Sequence, residues 1–324
     1  MIFTYVPISF FLLLCLVPSP CSGKPGVGIN LGNVLDAPHE GAWAPPAQEY
    51  YFDDYKSAGF SFVRLPVRWD QHLGTSPPYN VNATFLSRVK QVVGWCLSRG
   101  LRCIINSHHD DWLDAPNFNA ELPRFVALWT QLSNAFSSAP PNLYFEVFNE
   151  PHVMSVDNLN TMNNVIVPIM RRSNPTRTIY LGGLNWMSPQ WIISNPNAMA
   201  FPDTHNLRLE VHSYDPYNFC MQNPPSITQW GSVADQAALV KTAKGMENWS
   251  VQHSNIPVYL GEFGCLRQQT NHTARILWYS TMAKAWSPSA NIEMFSIWDD
   301  DGNYMIYNRA LRSWDQDVLR AIGL

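Results

Sequence analysis

Two periods of apolar residues alternate along this chain. Short apolar runs at 27–31, 61–66, 101–107, 143–148, 177–182, 207–213, 257–261 and 292–298 read as strands. Longer stretches at 47–57, 83–99, 121–136, 156–172, 234–252, 273–285 and 314–321 read as helices; over 83–99, Leu, Val and Trp recur three and four residues apart. Gly59 and Gly100 stop the first two of these helices. Eight strands, mostly alternating with helices, predict a parallel sheet closed on itself, a (β/α)8 TIM barrel of the α/β class. No linker, low-complexity tract or second repeat period interrupts the pattern, so residues 24–324 are expected to form a single domain.

In such a barrel the chemistry sits where strands end and the following loops begin. The second predicted strand carries Arg64 near its end, the third runs into His108-His109, and the fourth into Asn149-Glu150. The sixth leads to His212-Ser213-Tyr214, the seventh to Glu262 and the eighth to Trp298. The opposite ends carry Ser61, Arg102, Asn142 and Asn291, with no comparable pattern. A purely structural barrel has no need of this asymmetry. Pro151 cannot continue a ladder, so the fourth strand must stop and expose Glu150. A carboxylate at the tip of a buried strand is costly unless something uses or pairs it. If Glu150 and Glu262 converge on one pocket, they form an acid/base and nucleophile pair suited to glycosidic bonds.

Strand parity qualifies this expectation. Neighbouring strand residues point to opposite faces. Asn149 with Glu150, and His108 with His109, can share a pocket only if the backbone bends beyond each strand. Glu146 and Glu210 have the inward parity and are expected in a structural polar layer that pairs with Arg64.

The composition suits a globular enzyme with a large core: 324 residues, 46% hydrophobic and 14% charged. The net charge of −4, with no basic block, argues against nucleic acid or anionic membranes as partners. Thirteen Trp and thirteen Tyr supply rings that stack on sugar faces as well as filling the core. The apolar run 8–17 is too short to span a bilayer and is followed by small residues near Cys21 to Gly23. Residues 1–23 are therefore expected to be a signal peptide, although no Lys or Arg precedes the run. Sequons at Asn82, Asn248 and Asn271 fit a secreted glycoprotein.

Four cysteines follow the leader: Cys96, Cys103, Cys220 and Cys265. Cys220 and Cys265 follow neighbouring strand ends and are expected to form a disulfide; Cys96 and Cys103 either bridge or remain thiols. No zinc spacing is present among them. The run His108-His109-Asp110-Asp111 raises a metal-dependent hydrolase, but adjacent strand residues do not easily grip one ion, and the usual ligand spacings are missing. No metal or cofactor is expected.

Seven stretches in order, GINLGNVLDAP (28–38), GFSFVRLPVRW (59–69), INSHHDDW (105–112), YFEVFNEPH (144–152), EVHSYDPYNF (210–219), VYLGEFG (258–264) and SIWDDDG (296–302), resemble glycoside hydrolase family 5, in particular its endo-β-1,4-glucanases and mannanases. The resemblance implies Glu150 as general acid/base and Glu262 as nucleophile of a retaining mechanism. It implies that Arg64 and Tyr214 hold Glu262 ionised, that Asn149 contacts the sugar 2-hydroxyl, and that His108 and His212 bind sugar or tune the carboxyls. Trp298 becomes a stacking floor, and Asn33, Asp36, Trp43 and His109 become substrate contacts. The expected activity is a secreted, monomeric endoglucanase acting on a polysaccharide. The alternatives are a β-mannanase or glucomannanase, a β-1,3-glucanase, or a non-catalytic carbohydrate-binding barrel.

Overall fold

The structure, a computed structural model, describes residues 26–114, 116–203, 205–267, 271–287 and 289–324. The expected leader at 1–23 lies outside the described residues. Eight parallel strands close into one barrel in chain order: β1 (Gly26–Asn30), β2 (Phe62–Leu65), β3 (Arg102–Ile105), β4 (Leu143–Glu146), β5 (Ile179–Gly182), β6 (Leu207–His212), β7 (Val258–Phe263) and β8 (Ile292–Ile297). Closure is made where β1 pairs with both β2 and β8, Gly28 standing opposite Phe62 on one side and Ser296 on the other.

Around the barrel run α1 (Glu49–Ser57), α2 (Ala83–Ser98), α3 (Phe118–Ala135) and α4 (Val156–Ser173). Three short segments follow: α5 (Leu184–Met187), a turn with positive φ at Asn185, Trp186 and Met187, and the helices α6 (Pro189–Ser194) and α7 (Tyr217–Cys220). The ring ends with α8 (Val233–Gln252), α9 (His272–Ala285) and α10 (Gln316–Ile322). The (β/α)8 class expected from the apolar pattern is the one observed. The pattern missed α5 to α7 and a two-stranded hairpin of β9 (Tyr307–Asn308) and β10 (Ser313–Trp314). Elements this short carry too few turns to show a period. No helix among the described residues is long and apolar enough to cross a membrane.

The main core lies between sheet and helices, where outward strand residues such as Val63, Leu65 and Ile105 meet helix residues such as Val89 and Trp129. Inside the barrel a second, smaller cluster of Phe62, Ile104, Tyr180, Tyr259 and Met294 plugs the lower part. One inward step higher, the filling turns polar at six of the eight strands, where Asn30, Arg64, Asn106, Glu146, Glu210 and Ser296 are all fully buried, while β5 and β7 place Gly182 and Gly261. Alternation along the strands produces these layers, since inward positions recur every second residue. The apolar plug closes one mouth, so the polar layer becomes the floor of the other.

Two helix starts use sequon residues. Asn82 caps α2 by accepting from the Phe85 amide, and Asn271 caps α9 by accepting from the Ala274 amide. Asn248 instead sits inside α8, exposed, next to buried Ser250, whose hydroxyl donates to the Ile256 carbonyl.

The disulfide expectation is corrected. Cys220 and Cys265 are neighbours, as their strand ends implied, and a hydrogen bond links their sulfurs, but no S–S bond joins them. Cys96 and Cys103 likewise lie as a buried, hydrogen-bonded thiol pair. Adjacency was readable from topology. Oxidation also needs a thiolate, and burial pushes the Cys103 and Cys220 thiols well up.

Gly261 interrupts the apolar run of β7 for a steric reason. A Cβ there would drive into the Glu210 carboxyl on the neighbouring strand. Gly261→Ala is expected to destabilise the protein by about 1–3 kcal/mol, as overpacking of a filled interior does. Chemical denaturation measures this, and unchanged stability would contradict the packing described.

Candidate active site

The polar layer is built on Arg64. Its Nε donates to Glu146 Oε2 at 2.7 Å, and its Nη2 donates to Glu146 Oε1 at 2.7 Å and to Asn149 Oδ1 at 2.7 Å. Its Nη1 donates to Asn30 Oδ1 at 3.0 Å and to Glu262 Oε1 at 2.6 Å. All five guanidinium N–H groups are thereby used. The expectation that Glu146 and Glu210 lie inside and pair with Arg64 is met, Glu210 Oε1 standing 3.2 Å from Nε.

Glu262 ends β7 with its other oxygen accepting from the Tyr214 hydroxyl at 2.7 Å. Burial pushes this carboxyl up, but His212, Arg64 and Tyr214 outweigh it and hold Glu262 below the usual range. Glu150 lies across from it, partly exposed, with Oε1 at 2.7 Å from His212 Nδ1. Burial and the Glu262 charge raise Glu150 above the ordinary carboxyl value, against the opposing pull of His212. His212 Nδ1 also lies 3.7 Å from Glu262 Oε2, and an oxygen of each glutamate falls within 4.8 Å of the other. Two carboxyls with their protonation driven apart face one gap.

The parity problem is resolved in the backbone. Both β3 and β4 end before the functional pairs, at Ile105 and Glu146. Glu150 then adopts φ +51° and His109 φ +53°. This left-handed conformation costs a non-glycine residue about 1–2 kcal/mol, and it turns a second consecutive side chain into the mouth.

The remaining expected residues divide into two groups. His108 is buried and neutral, burial holding it well below its usual value. Asn106 fixes its tautomer: the Asn106 oxygen accepts from the Val67 amide, so its NH2 group faces His108 Nδ1 at 3.1 Å, leaving the proton on Nε2. The Trp298 ring lies parallel to His108 at 5.8 Å and is partly exposed. Further out, Trp43 is half exposed and meets His109 edge-on at 5.5 Å. Asn33 donates to Asp299 at 2.5 Å. Asp36 is fully buried: Oδ1 accepts from the Val34 amide, and Oδ2 lies 3.9 Å from His109 Nε2. Asp36 therefore orders the loop after β1 rather than facing either cavity below.

Two cavities flank the carboxyl pair. One of about 530 Å³ is lined by Glu150, His212 and Tyr214 together with Trp186, Tyr217 and Met221. The other, of about 360 Å³, is lined by Asn33, Trp43, Asp299, Asp301 and Arg309. They sit over β4–β6 and over β1 and β8, which are opposite arcs of an eight-stranded ring. Trp186, Tyr217 and Met221 are exposed and were not anticipated. The strand-end rule, applied to the fifth strand, points at the GGLNW stretch holding Trp186; nothing in the letters marks Tyr217 or Met221 as exposed.

Among the described residues, two sets of side chains have metal-ligand reach, Asp36–His108–His109 and Glu150–His212–Glu262. Neither fits a cation as it stands. The available His108 nitrogen carries a proton, and Arg64 already supplies positive charge to the second set.

A family model described as cellulase (glycosyl hydrolase family 5) matches residues 24–300. The chain belongs to glycosyl hydrolase family 5. Among curated relatives, it is 40% identical to Endoglucanase H of Acetivibrio thermocellus over 92% of this chain, but it spans only 33% of that protein. It is 26% identical to Endoglucanase A of Paenibacillus barcinonensis over 95% of this chain and 90% of that one. Among solved structures, endoglucanase Cel5A of Thermotoga maritima superposes with a TM-score of 0.85 at 31% identity, covering 92% of this chain and 96% of that chain. Structures of that Cel5A have been solved with cellobiose and with mannotriose.

Tyr214 lowers the Glu262 carboxyl by hydrogen-bonding its charged form. In Tyr214→Phe that carboxyl is expected to titrate at higher pH. Carbon NMR of isotope-labelled glutamate measures this, and an unmoved titration would remove Tyr214 from the site's electrostatics.

Proposed function

We propose that this protein is a secreted, retaining endo-β-1,4-glycanase, and that β-1,4-glucan is its preferred substrate. One observation carries the mechanism: oxygens of Glu150 and Glu262 lie within 4.8 Å. Retaining enzymes hold their carboxyls roughly 5–5.5 Å apart, whereas inverting enzymes leave about 6.5–9.5 Å for an intervening water. The protonation bias supports the same division of labour. Glu262, held low by His212, Arg64 and Tyr214, attacks the anomeric carbon, while Glu150, whose carboxyl is raised by burial and the Glu262 charge, gives its proton to the departing glycosidic oxygen. Glu150, now an anion, then takes a proton from water as the water displaces Glu262 from the covalent intermediate.

Asn149 presents its NH2 group to the sugar, because Arg64 occupies the amide oxygen. A donor fixed in this way strengthens its hold on a 2-hydroxyl as the oxocarbenium-like state forms. The acid must stand on the leaving-group side. Glu150 lines the aromatic cavity over β4–β6, so the departing chain lies there, against Trp186 and Tyr217. The retained sugars extend towards Asn33 and Trp43, across Trp298. A trough continuing on both sides of the carboxyl pair suits cleavage within a polymer.

The glucan preference rests on the endoglucanase relatives. A β-mannan reading has its own support in the mannotriose complex of the Thermotoga protein. Parallel assays on β-1,4-glucan, glucomannan, mannan and β-1,3-glucan decide between them. Highest kcat/KM on β-1,4-glucan is expected, and a mannan optimum would overturn that ranking. The non-catalytic alternative is disfavoured by the intact carboxyl pair.

Glu262→Gln and Glu150→Gln are each expected to lose more than about 10³ in kcat on unactivated polysaccharide. With an activated aryl glycoside the Glu150 variant should accumulate a glycosyl-enzyme visible by mass spectrometry. Proton NMR of the first product should show the β-anomer; the α-anomer would refute retention. Secretion adds a separate expectation. In a glycosylating secretory host, exposed Asn82 and Asn271 should carry glycans, each lost as one step in mass on substitution to Gln.

A further inference from the structure

Glu210 is a buried carboxyl that stands 3.2 Å from Arg64 Nε without taking one of its hydrogen bonds. Its side chain is fully buried inside the barrel, and Oε2 has no hydrogen-bond partner. Its charge faces Arg64, but Glu146, Asn149, Asn30 and Glu262 take all five guanidinium donors. The neighbouring strand gives up a side chain at Gly261 to make room for it. A group this costly calls for a reason.

The reason lies one step up the same strand. His212 has a carboxyl oxygen at each ring nitrogen: Glu150 Oε1 at 2.7 Å from Nδ1 and Glu210 Oε1 at 3.4 Å from Nε2. A neutral imidazole between two acceptors would set one lone pair against another. An imidazolium donates to both. Burial alone would lower His212, but Glu262, then Glu150 and Glu210, push it up to about 10; burial and the Glu146 charge push Glu210 itself up to about 8, so the imidazole is the more basic of the two and keeps the proton between them.

The protonation state matters to the acid. Beside a neutral His212 accepting at Nδ1, Glu150 would turn its proton from Oε1 into the imidazole and away from the glycosidic oxygen. Beside an imidazolium, Oε1 can only accept. We propose that Glu210 is a positioning residue for the acid: it holds the Nε2 proton on His212, so that His212 offers Nδ1–H to Glu150 and the transferable proton sits on Glu150 Oε2. Glu210 touches no substrate and acts only through His212. The inference rests on Glu150 being the acid/base.

Glu210→Gln keeps the shape and removes the carboxyl. A misdirected acid harms poor leaving groups most, because good ones depart without protonation. On a series of aryl β-cellobiosides, kcat/KM of Glu210→Gln should fall by about tenfold or more with phenol and by far less with 2,4-dinitrophenol, a part of the general-acid contribution. An equal loss across the series, or no loss, would overturn the proposal, because a merely structural defect carries no leaving-group dependence. Glu150→Gln in the same series separates the two claims. A flat response there sinks the acid/base assignment itself; a steep response beside a flat Glu210→Gln sinks only the role of Glu210. Nitrogen NMR of histidine-labelled wild type tests the proposal without any Glu210 variant. With the His212 signal identified by its loss in His212→Asn, both ring nitrogens should be protonated at neutral pH. A neutral ring would refute the proposal.

Discussion

A single buried guanidinium fixes the geometry of the catalytic mouth. Arg64 has no exposure, and its fork joins β1, β2, β4 and β7 through Asn30, Glu146, Asn149 and Glu262. Desolvating such a cation costs several kcal/mol unless it is fully paired, and removing one partner of a buried ion pair typically costs about 3–5 kcal/mol. The barrel therefore cannot relax one of these strands without leaving charge unpaired. The same bonds that hold the strands also aim Glu262 and orient the Asn149 amide, so stability and chemistry share one set of contacts.

The asymmetry between the two glutamates follows from this. Both are buried enough for desolvation to raise them. Glu262 receives Arg64, Tyr214 and the field of His212, and stays ionised; Glu150 receives His212 alone as a hydrogen-bonding cation and stays high. Ionising Glu262 then raises Glu150 further, since like charges so close resist a second ionisation. His212, Arg64 and Tyr214 acting together on one carboxyl, against His212 on the other, drive the two protonation states apart.

Much of this was legible in the letters, because a closed barrel converts linear position into depth. The inward parity of Glu146 and Glu210 placed them in the layer of Arg64, and the strand-end rule gathered Glu150, His212, Tyr214 and Glu262 at one mouth. The bends that bring His108 with His109, and Asn149 with Glu150, were foreseen as a need but not as a conformation. Left-handed φ at His109 and Glu150 is imposed by surrounding contacts, which no local propensity encodes. Asp36, a substrate contact by the family resemblance, accepts from the Val34 amide and lines neither cavity. The cysteines show the limit of topology, which predicts who stands beside whom but not whether sulfurs are oxidised.

The two ends of the trough differ in kind, and the difference bears on selectivity. The side over β1 and β8 is lined by Trp43 and by Asn33, Asp299, Asp301, Asn303 and Arg309, with Asn33 held on Asp299 and Arg309 on Asp300. Polar groups set in this way reject a sugar whose hydroxyl is misplaced, because their own partners are then lost. The side over β4–β6 offers Trp186, Tyr217 and Met221, with Trp186 itself stacked on His152 at 4.9 Å. Flat apolar surface recognises the face of a pyranose and is less sensitive to the orientation of one hydroxyl. Under the proposed function the polar side receives the retained sugars, and it is the side equipped to discriminate glucose from mannose units.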